Sequence, residues 1–263
     1  MSRQPRGDGP RAGSILAGEG QHNQRTRPPA RLLRSGWAFP SPALGDEDGI
    51  VGTGADLEPS TLVQAYREGI FPWPHGWPSL PWFSPDPRAV IRPDTLHRSR
   101  SLRRTMRRSG WTTTVDAAFS DVIGNCASGR HDGTWITPDM QTAYTRLHGL
   151  GWAHSIEVWE ADTLVGGLYG VQVGAVFTGE SMFSRAPSAS KVAMCDLLDR
   201  FVEAGGHVLD VQLMTDHLAT MGAMAIPRTS WLRQLQGLVD KDVRMLVGPL
   251  PVTRLARATV EAV

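Results

Sequence analysis

Residues 155–183 read SIEVWEADTLVGGLYGVQVGAVFTGESMF, and this segment indicates the fold class. Apolar and polar residues alternate over 155–160, as they do in a half-buried strand. A turn at 161–163 leads back into an apolar run at 164–171, and a third run follows at 175–183. Three such runs joined by short turns predict an antiparallel meander.

Helical patterns surround this meander. Apolar periodicity predicts helices at 97–108, 116–128 and 138–150 before it and at 190–204 after it. A strand at 207–213 and a short helix at 216–221 follow, and an earlier helix around 61–66 ends at Gly69. A meander followed by a helix and a further strand predicts an α+β fold with a mainly antiparallel sheet.

The composition divides the chain into three parts. Residues 1–36 carry seven arginines against two acidic residues and few apolar ones, which predicts a disordered basic extension. An Arg-rich transit peptide is a weaker alternative for this segment. Residues 37–87 are dense in aromatics and proline, and from about residue 88 the pattern becomes mixed α and β.

Cysteine use and hydropathy bear on where the protein works. Cys126 and Cys195 each lie in an apolar stretch and are expected to be buried and unbridged, as in a reducing cytosol. No apolar run in the sequence approaches the length of a membrane span. We therefore expect a cytoplasmic protein.

The run VLDVQL at 208–213 carries the first candidate site. Asp210 and Gln212 are two residues apart, so on a regular strand their side chains leave the same face. Together a carboxylate and an amide can orient an amine by hydrogen bonds. The simpler interpretation of this pattern alone is the polar outer face of an edge strand.

Glu180 is a second candidate because it interrupts an apolar strand, where a buried carboxylate needs a partner. It could capture a cation in a pocket, or it could form a structural ion pair with Arg185. The strand pattern leaves both open.

A basic stripe is the third candidate. Helical spacing aligns five arginines, and no acidic residue between 98 and 108 neutralises them: Arg100, Arg103, Arg104, Arg107 and Arg108. A solvated charged face is the ordinary interpretation, but an unneutralised arginine row favours phosphate binding. The eight histidines have no metal-ligand spacing, and neither nucleotide-binding glycine motif is present, so we expect no metal and no cofactor.

Six strings resemble one family in order and spacing. They are AYREGIFPW (65–73), WFSPDPRAV (82–90), GTWIT (133–137), HSIEVW (154–159), GESMFSR (179–185) and LDVQ (209–212). They are similar to the leucyl/phenylalanyl-tRNA–protein transferase family, and the resemblance extends from about residue 37 to residue 228. Phe83 departs from the pattern, where a second tryptophan is expected.

The resemblance implies a small N-terminal domain, here residues 37–87, and a C-terminal catalytic domain, here residues 88–263, with an acetyltransferase-like (GNAT-like) fold that uses no coenzyme A. The segment 184–190 agrees, because it lacks the glycines of a phosphate-binding loop. The family moves Leu, Phe or Met from aminoacyl-tRNA to proteins that begin with Arg or Lys, which marks them for N-end rule degradation. A monomer is expected.

The resemblance also assigns roles to single residues. Trp73 and Trp135 are expected to stack on the terminal adenosine of the tRNA. The pocket for the amino acid side chain is expected to be lined by Leu168, Phe177 and Met182. Asp210 and Gln212, with Glu180 beside them, are expected to position and activate the attacking amine.

Two other functions remain open at this point. A coenzyme-A-dependent N-acyltransferase on the same fold is the first, and the missing glycine-rich loop counts against it. An RNA-binding module is the second, and it explains the arginine stripe but not the polar residues at 180, 210 and 212.

Overall fold

A computed structural model describes residues 24–74, 77–128 and 134–257. A small antiparallel sheet lies near the start of the described chain. Its strands are β1 (Ile50–Thr53), β2 (Phe71–Pro72) and β3 (Pro81–Phe83), in the order β1-β3-β2.

An eight-stranded sheet forms the body. Its strands are β4 (Arg88–Ile91), β5 (Thr112–Val115), β6 (Ala153–Glu160), β7 (Thr163–Val173), β8 (Val176–Ser184), β9 (Val208–Gln212), β10 (Met224–Ile226) and β11 (Leu250–Pro251). The order is β10-β4-β9-β8-β7-β6-β5-β11. Of the described neighbours only β8 and β9 run parallel. The fold is therefore mixed α and β with a mostly antiparallel sheet, and the predicted meander is β6 to β8.

Seven α-helices accompany the sheets in the described part of the chain. They are α1 (Pro59–Arg67), α2 (Arg100–Arg108), α3 (Phe119–Ser128), α4 (Pro138–Gly149), α5 (Ala189–Glu203), α6 (Asp216–Thr220) and α7 (Arg228–Gln236). Side chains cap three of them, because Ser99, Thr137 and Thr215 each accept a bond from a backbone N–H in the first turn. Proline opens α1 and α4, where its missing N–H costs nothing.

Helices cover both faces of the large sheet. On one face, α5 packs against β6, β7 and β8, and its buried side chains join an extended apolar core. On the other face, α3 and α4 pack against the same strands and form a second core. Helix α1 contacts α4 and β7, so the segment before residue 88 contributes to that second core.

The two parallel strands pair over a short distance only. The register joins Val176–Thr178 of β8 to Val208–Asp210 of β9. Strand β8 continues to Ser184 alongside β7, whereas β9 ends at Gln212. Beyond Thr178 the described strands leave a space between β8 and β9.

Residues 24–30, which the sequence predicts to be disordered, are instead bonded to the body. Thr26 is buried and exchanges bonds with the backbone of Met245, at 2.7 and 3.1 Å. The indole of Trp152 donates to the carbonyl of Ala30 at 3.0 Å. Gly151 is required there, since its φ is +77° and a Cβ would lie 2.9 Å from the Pro28 carbonyl oxygen. Residues 1–23 of the predicted extension lie outside the described residues.

Two smaller expectations concern cysteines and membranes. Cys126 and Cys195 are buried and unbridged, as predicted. Among the described residues, the helices are too short or too polar to cross a membrane.

Candidate active site

A cavity of about 280 Å³ opens where β8 and β9 cease to pair. Strand β8 contributes Gly179, Glu180, Ser181 and Met182, and the end of β9 contributes Leu209, Val211 and Gln212. The sheet thus places backbone and side chains of two strands on either side of one small space.

The deeper wall of the cavity is apolar. Leu168 and Met182, both predicted, line it, and Met194, Leu209 and Leu218 line it as well. Phe177, the third predicted wall residue, is absent from the lining. It is fully buried and packs edge-on against Phe201 at 6.1 Å, which makes it part of the core behind the wall.

Part of the cavity lining is aromatic. Trp73 and Trp135, the two candidate stacking residues, line the cavity together with Phe71 and Pro72. Phe83 supports Trp73 by an edge-to-face contact at 5.6 Å. The aromatic at position 83, which departs from the family pattern, therefore still backs the cavity wall.

Glu180 lies at the centre of a buried hydrogen-bond network. Its carboxylate accepts bonds from Tyr66 at 2.8 Å, Tyr144 at 3.2 Å and the Gln212 amide at 3.1 Å. The two tyrosine hydroxyls lie 2.5 Å apart. Burial raises the pKa of Glu180 to about 7, although the tyrosine bonds and Arg88 act to lower it. This carboxyl group can therefore hold or release a proton near neutral pH.

The alternative pairing of Glu180 with Arg185 is wrong. The Arg185 guanidinium donates to the Asn125 side chain at 2.5 Å instead.

Tyr66 and Tyr144 are site residues that the sequence analysis missed. Tyr66 comes from α1 and Tyr144 from α4, and both are buried. Burial is the first cause that raises the pKa of each hydroxyl, followed by the charge of Glu180, so both remain protonated donors. Tyr66 belongs to the AYREGIFPW string, which was the available signal, whereas nothing in the pattern around Tyr144 distinguished it from a core residue.

Asp210 does not line the cavity. The Arg88 guanidinium donates hydrogen bonds of 2.8 and 2.7 Å to the two carboxylate oxygens of Asp210, and both side chains are only 1% exposed. Thr178 donates to it at 3.3 Å, and the backbone N–H of Gln212 donates to it at 3.0 Å. Asp210 is therefore held beneath Gln212 and contacts the site through that residue. Arg88, which lies in the WFSPDPRAV string, is the partner that the sequence analysis missed.

The backbone at Gln212 explains why the two side chains separate. The register against β4 shifts between Val90↔Asp210 and Ala89↔Gln212, which marks a bulge. Gln212 has a φ of +64°, and the Leu213 N–H bonds back to the Val211 carbonyl at 2.7 Å, as in a γ-turn. The expected shared face of Asp210 and Gln212 is thus lost, and only Gln212 turns into the cavity.

The arginine stripe lies on α2 and is largely exposed. Arg100, Arg104, Arg107 and Arg108 are exposed, while Leu102 and Met106 on the opposite face are buried. Arg103 differs, because its side chain donates to the carbonyls of Arg98 at 3.0 Å and Arg257 at 3.3 Å. Four of the five predicted arginines are therefore exposed, and the fifth is bonded to the backbone of Arg98 and Arg257.

In the described part of the chain, no three His, Cys, Asp or Glu side chains converge as metal ligands.

Comparisons with known proteins agree on one family. The family model described as leucyl/phenylalanyl-tRNA protein transferase matches residues 90–236, and the model of that family's N-terminal domain matches residues 55–86. The curated protein of that name from Escherichia coli O1:K1 is 48% identical over 223 residues, 84% of this chain and 92% of the relative. The one from Citrobacter koseri is 49% identical over 210 residues, 79% and 90% of the two chains.

One solved structure is a weaker match. It is the C-terminal domain of a protein described as a lysylphosphatidylglycerol synthetase from Agrobacterium fabrum. It covers 62% of this chain and 55% of its own, at 13% identity and a TM-score of 0.34. A likeness of that size does not establish a shared fold.

Proposed function

This chain belongs to the leucyl/phenylalanyl-tRNA–protein transferase family and is an aminoacyltransferase, and we propose that it moves Leu, Phe or Met from aminoacyl-tRNA to the N-terminal Arg or Lys of acceptor proteins. That addition marks the acceptors for N-end rule degradation. One observation carries the proposal: a buried carboxylate with a pKa near 7 lies beside an amide at the end of an apolar cavity.

The cavity fits an apolar amino acid esterified to a ribose. Its apolar wall, which includes Leu168, Met182 and Met194, takes the side chain. These three wall side chains are unbranched at Cβ and leave a slot that disfavours Ile and Val, because Ile and Val are wide at Cβ. The ester carbonyl then faces Gln212 and Glu180 at the polar end.

The reaction exchanges one bond for another. The α-nitrogen of the acceptor attacks the ester carbonyl carbon, a C–N bond forms, and the C–O bond to the ribose breaks. The amine loses one proton and the ribose oxygen gains one. Glu180 and Gln212 orient the amine through hydrogen bonds, and Glu180 is the group whose pKa suits it to take up the amine's proton near neutral pH.

Asp210 and Arg88 serve as positioning residues in this proposal. Asp210 accepts the backbone N–H of Gln212 and keeps the strained turn in place, and Arg88 balances the charge of Asp210. The predicted catalytic set of Asp210, Gln212 and Glu180 is thereby divided into two residues that face the substrate and one that acts through Gln212.

The tRNA is held by two surfaces. Trp73 and Trp135 stack on the terminal adenosine. The exposed arginines of α2 bind acceptor-stem phosphates, which supply affinity without reading bases. One enzyme can then accept several tRNAs, provided that the attached amino acid fits the cavity.

An acetyltransferase-like arrangement of the 88–263 domain is part of the proposal. The parallel β8 and β9, which pair briefly and then leave a cavity, support it. A small 37–87 domain is supported by the fact that β1 to β3 all precede residue 88. The proposed enzyme works as a monomer without a cofactor. For coenzyme A this is supported by the 184–190 segment, which has no glycine with which to bind the phosphates.

Radiolabelled Leu-tRNA and a peptide beginning with Arg test the proposal. We expect label in the peptide, none in a matched peptide beginning with Glu, and a strong loss with Gln212→Ala. Label in neither peptide, together with a thermal shift on adding acetyl coenzyme A, would instead support the coenzyme-A-dependent alternative.

A further inference from the structure

The HSIEVW string (154–159) belongs to the family pattern, yet none of these six described residues lines the cavity. Its first two residues are bonded to Asp116. One Asp116 carboxylate oxygen lies 2.8 Å from Nδ1 of His154, and the other accepts the backbone N–H of Ser155 at 3.0 Å. The N–H of Asp116 donates to the Ser155 carbonyl at 3.1 Å. Asp116 has a φ of +61°, which aspartate tolerates better than most residues, so its carboxylate is fixed near the start of β6.

His148 is the third residue held at this point. Its Nδ1 lies 3.0 Å from the carbonyl oxygen of Ala153 and 3.6 Å from an oxygen of Asp116. Because a carbonyl oxygen only accepts, Nδ1 of His148 carries a proton and donates it to Ala153. The imidazole also stacks on the ring of Phe119, with centroids 4.3 Å apart and planes 8° apart. A carbonyl, a carboxylate and an aromatic ring therefore fix this imidazole together.

Two routes connect His148 to Tyr144. Both residues belong to α4, and they are four residues apart, so their side chains share one face of the helix. The second route is aromatic, because Phe119 packs edge-on against Tyr169 at 5.9 Å and Tyr169 packs edge-on against Tyr144 at 5.7 Å. The contacts of His148 thus fix both the helix that carries Tyr144 and the rings against which Tyr144 packs.

The position of Tyr144 matters because its hydroxyl donates to Glu180 at 3.2 Å. This distance is already longer than the usual range for O–H···O bonds, about 2.5–3.0 Å, so a small displacement of α4 breaks the bond. Burial raises the pKa of Glu180 to about 7, and the bonds from Tyr66 and Tyr144 lower it. The charged neighbours are Asp210, which raises that pKa, and Arg88, which lowers it. Loss of the Tyr144 bond therefore raises the pKa of Glu180 further.

We propose that Asp116 and His148 are positioning residues, which hold Tyr144 in hydrogen-bond contact with Glu180. The inference gives the HSIEVW string a role at the site, because that string supplies the backbone and the imidazole to which Asp116 is bonded. Only its kinetic consequence rests on the proposed function. The contacts themselves can be tested without any substrate.

Nuclear magnetic resonance of the protein with isotope-labelled glutamate follows the carboxyl signal of Glu180 as pH changes. Glu180→Gln assigns that signal, since it alone removes it. His148→Ala removes the stacked ring and the Nδ1–H together. We expect His148→Ala to raise the pKa of Glu180 nearly as far as Tyr144→Phe does, because both variants lose the same bond.

Asp116→Asn separates position from charge. Asparagine also tolerates a positive φ, so the turn is kept, but its NH₂ group cannot accept the bonds that the second carboxylate oxygen accepted. Removing a negative charge would by itself lower the pKa of Glu180, whereas loosening Tyr144 raises it. We expect a rise in the pKa of Glu180, in the same direction as in His148→Ala.

A double variant and a control identify the route. In Tyr144→Phe the further change His148→Ala should leave the pKa of Glu180 where it is, because the bond is already absent. Leu198→Ala is the control for general destabilisation, since Leu198 is buried in the core on the other face of the sheet. An unaltered pKa in His148→Ala and Asp116→Asn, additive shifts in the double variant, or an equal shift in Leu198→Ala would each overturn the inference.

The kinetic consequence follows from the proposed role of Glu180 as proton acceptor. The rise of kcat with pH should move to higher pH in His148→Ala, with kcat about threefold lower at pH 6 and close to wild type at pH 9. KM for aminoacyl-tRNA should not change. A raised pKa of Glu180 with an unmoved kcat profile would support the positioning role and overturn the proposed role of Glu180 in transfer.

Discussion

Asp210 and Arg88 form an ion pair that is almost completely buried. Removing one partner of such a pair leaves an uncompensated charge in the interior, which costs about 3–5 kcal/mol, whereas replacing both with apolar residues is often neutral. In the proposed function catalysis also depends on the bond between Asp210 and the Gln212 backbone, so effects on stability and on catalysis can be separated at this pair.

We expect Asp210→Asn to lower both the free energy of unfolding and kcat. The double variant Arg88→Met/Asp210→Leu should regain most of the stability but not kcat, since the N–H of Gln212 still lacks its acceptor. Urea unfolding and transfer kinetics measure the two effects, and KM for aminoacyl-tRNA should stay near the wild-type value. A double variant with wild-type kcat would reduce Asp210 to a structural role.

Glu180 links stability to pH. Burial raises its pKa in the folded protein to about 7 from an ordinary value of 4.5. Between these values the folded state binds more protons than the unfolded state, so the free energy of unfolding falls as pH rises from about 4.5 to about 7. A shift of this size corresponds to about 3 kcal/mol.

In Glu180→Gln this dependence should be absent. Urea unfolding of wild type and variant at pH 5, 6, 7 and 8 measures the difference. Glu157, whose burial raises its pKa to about 6, titrates in both proteins and cancels from the comparison. Parallel curves over this range would mean that Glu180 does not titrate with a raised pKa.

The sequence identified some residues of the candidate site, missed Tyr66, Tyr144 and Arg88, and did not give their arrangement. Glu180 was identifiable because a buried carboxylate in an apolar strand needs a hydrogen-bonding or charged partner. Strand periodicity predicted that the side chains of Asp210 and Gln212 share one face. The bulge and the positive φ at Gln212 instead turn the two side chains in different directions. The partner of Asp210 lies 122 residues away, and such a pairing leaves no trace in local spacing.

At the scale of elements, the central strands and helices were predictable and the outer ones were not. Strands β6 to β8 are long enough for their apolar pattern to be recognised. Strands β4, β5, β10 and β11 have four residues or fewer, and their position depends on partners far along the chain. Strand β4 begins with Arg88, which resembles the end of a loop until its buried partner is known.

The α2 stripe gives a prediction about tRNA binding. The double variant Arg104→Ala/Arg107→Ala should raise KM for aminoacyl-tRNA and leave kcat nearly unchanged. The salt dependence of binding should become shallower by about one unit per lost phosphate contact. Arg103 is unsuitable for this test, because its bonds to the Arg98 and Arg257 carbonyls make it partly structural.

Arg233→Ala on α7 is the control, since it removes one exposed arginine outside the stripe. An unchanged KM and an unchanged salt slope in the folded double variant mean that α2 is an ordinary solvated face, and the tRNA lies elsewhere.

At the scale of the whole molecule, the site belongs to both parts of the chain. Tyr66 and Trp73 come from the segment before residue 88, and Glu180 and Gln212 come from the large sheet. The division at residue 88 describes sheet membership and does not separate two independent sites. Either part alone lacks residues that the cavity needs.

Residues 24–30 are hydrogen-bonded to parts of the protein that lie far away along the chain. They join the region near Met245 to the α4–β6 junction through the buried Thr26 and the bond from Trp152 to Ala30. Each such hydrogen bond contributes about 1 kcal/mol to stability. None of these residues lines the cavity, so the attachment affects folding and not the chemistry.

A chain beginning at Ser35 should therefore be less stable than one beginning at Gln24, by about 3 kcal/mol in urea unfolding, because it loses at least three of these bonds. Below its melting temperature it should keep the kcat of the longer chain. Thr26→Val in the full chain should lower the stability by a smaller amount, since it removes only the side-chain acceptor of the Met245 N–H and changes the volume little. Equal stability of the two shortened chains contradicts a structural role for residues 24–30. A folded Ser35 chain with reduced kcat contradicts the separation of folding from chemistry.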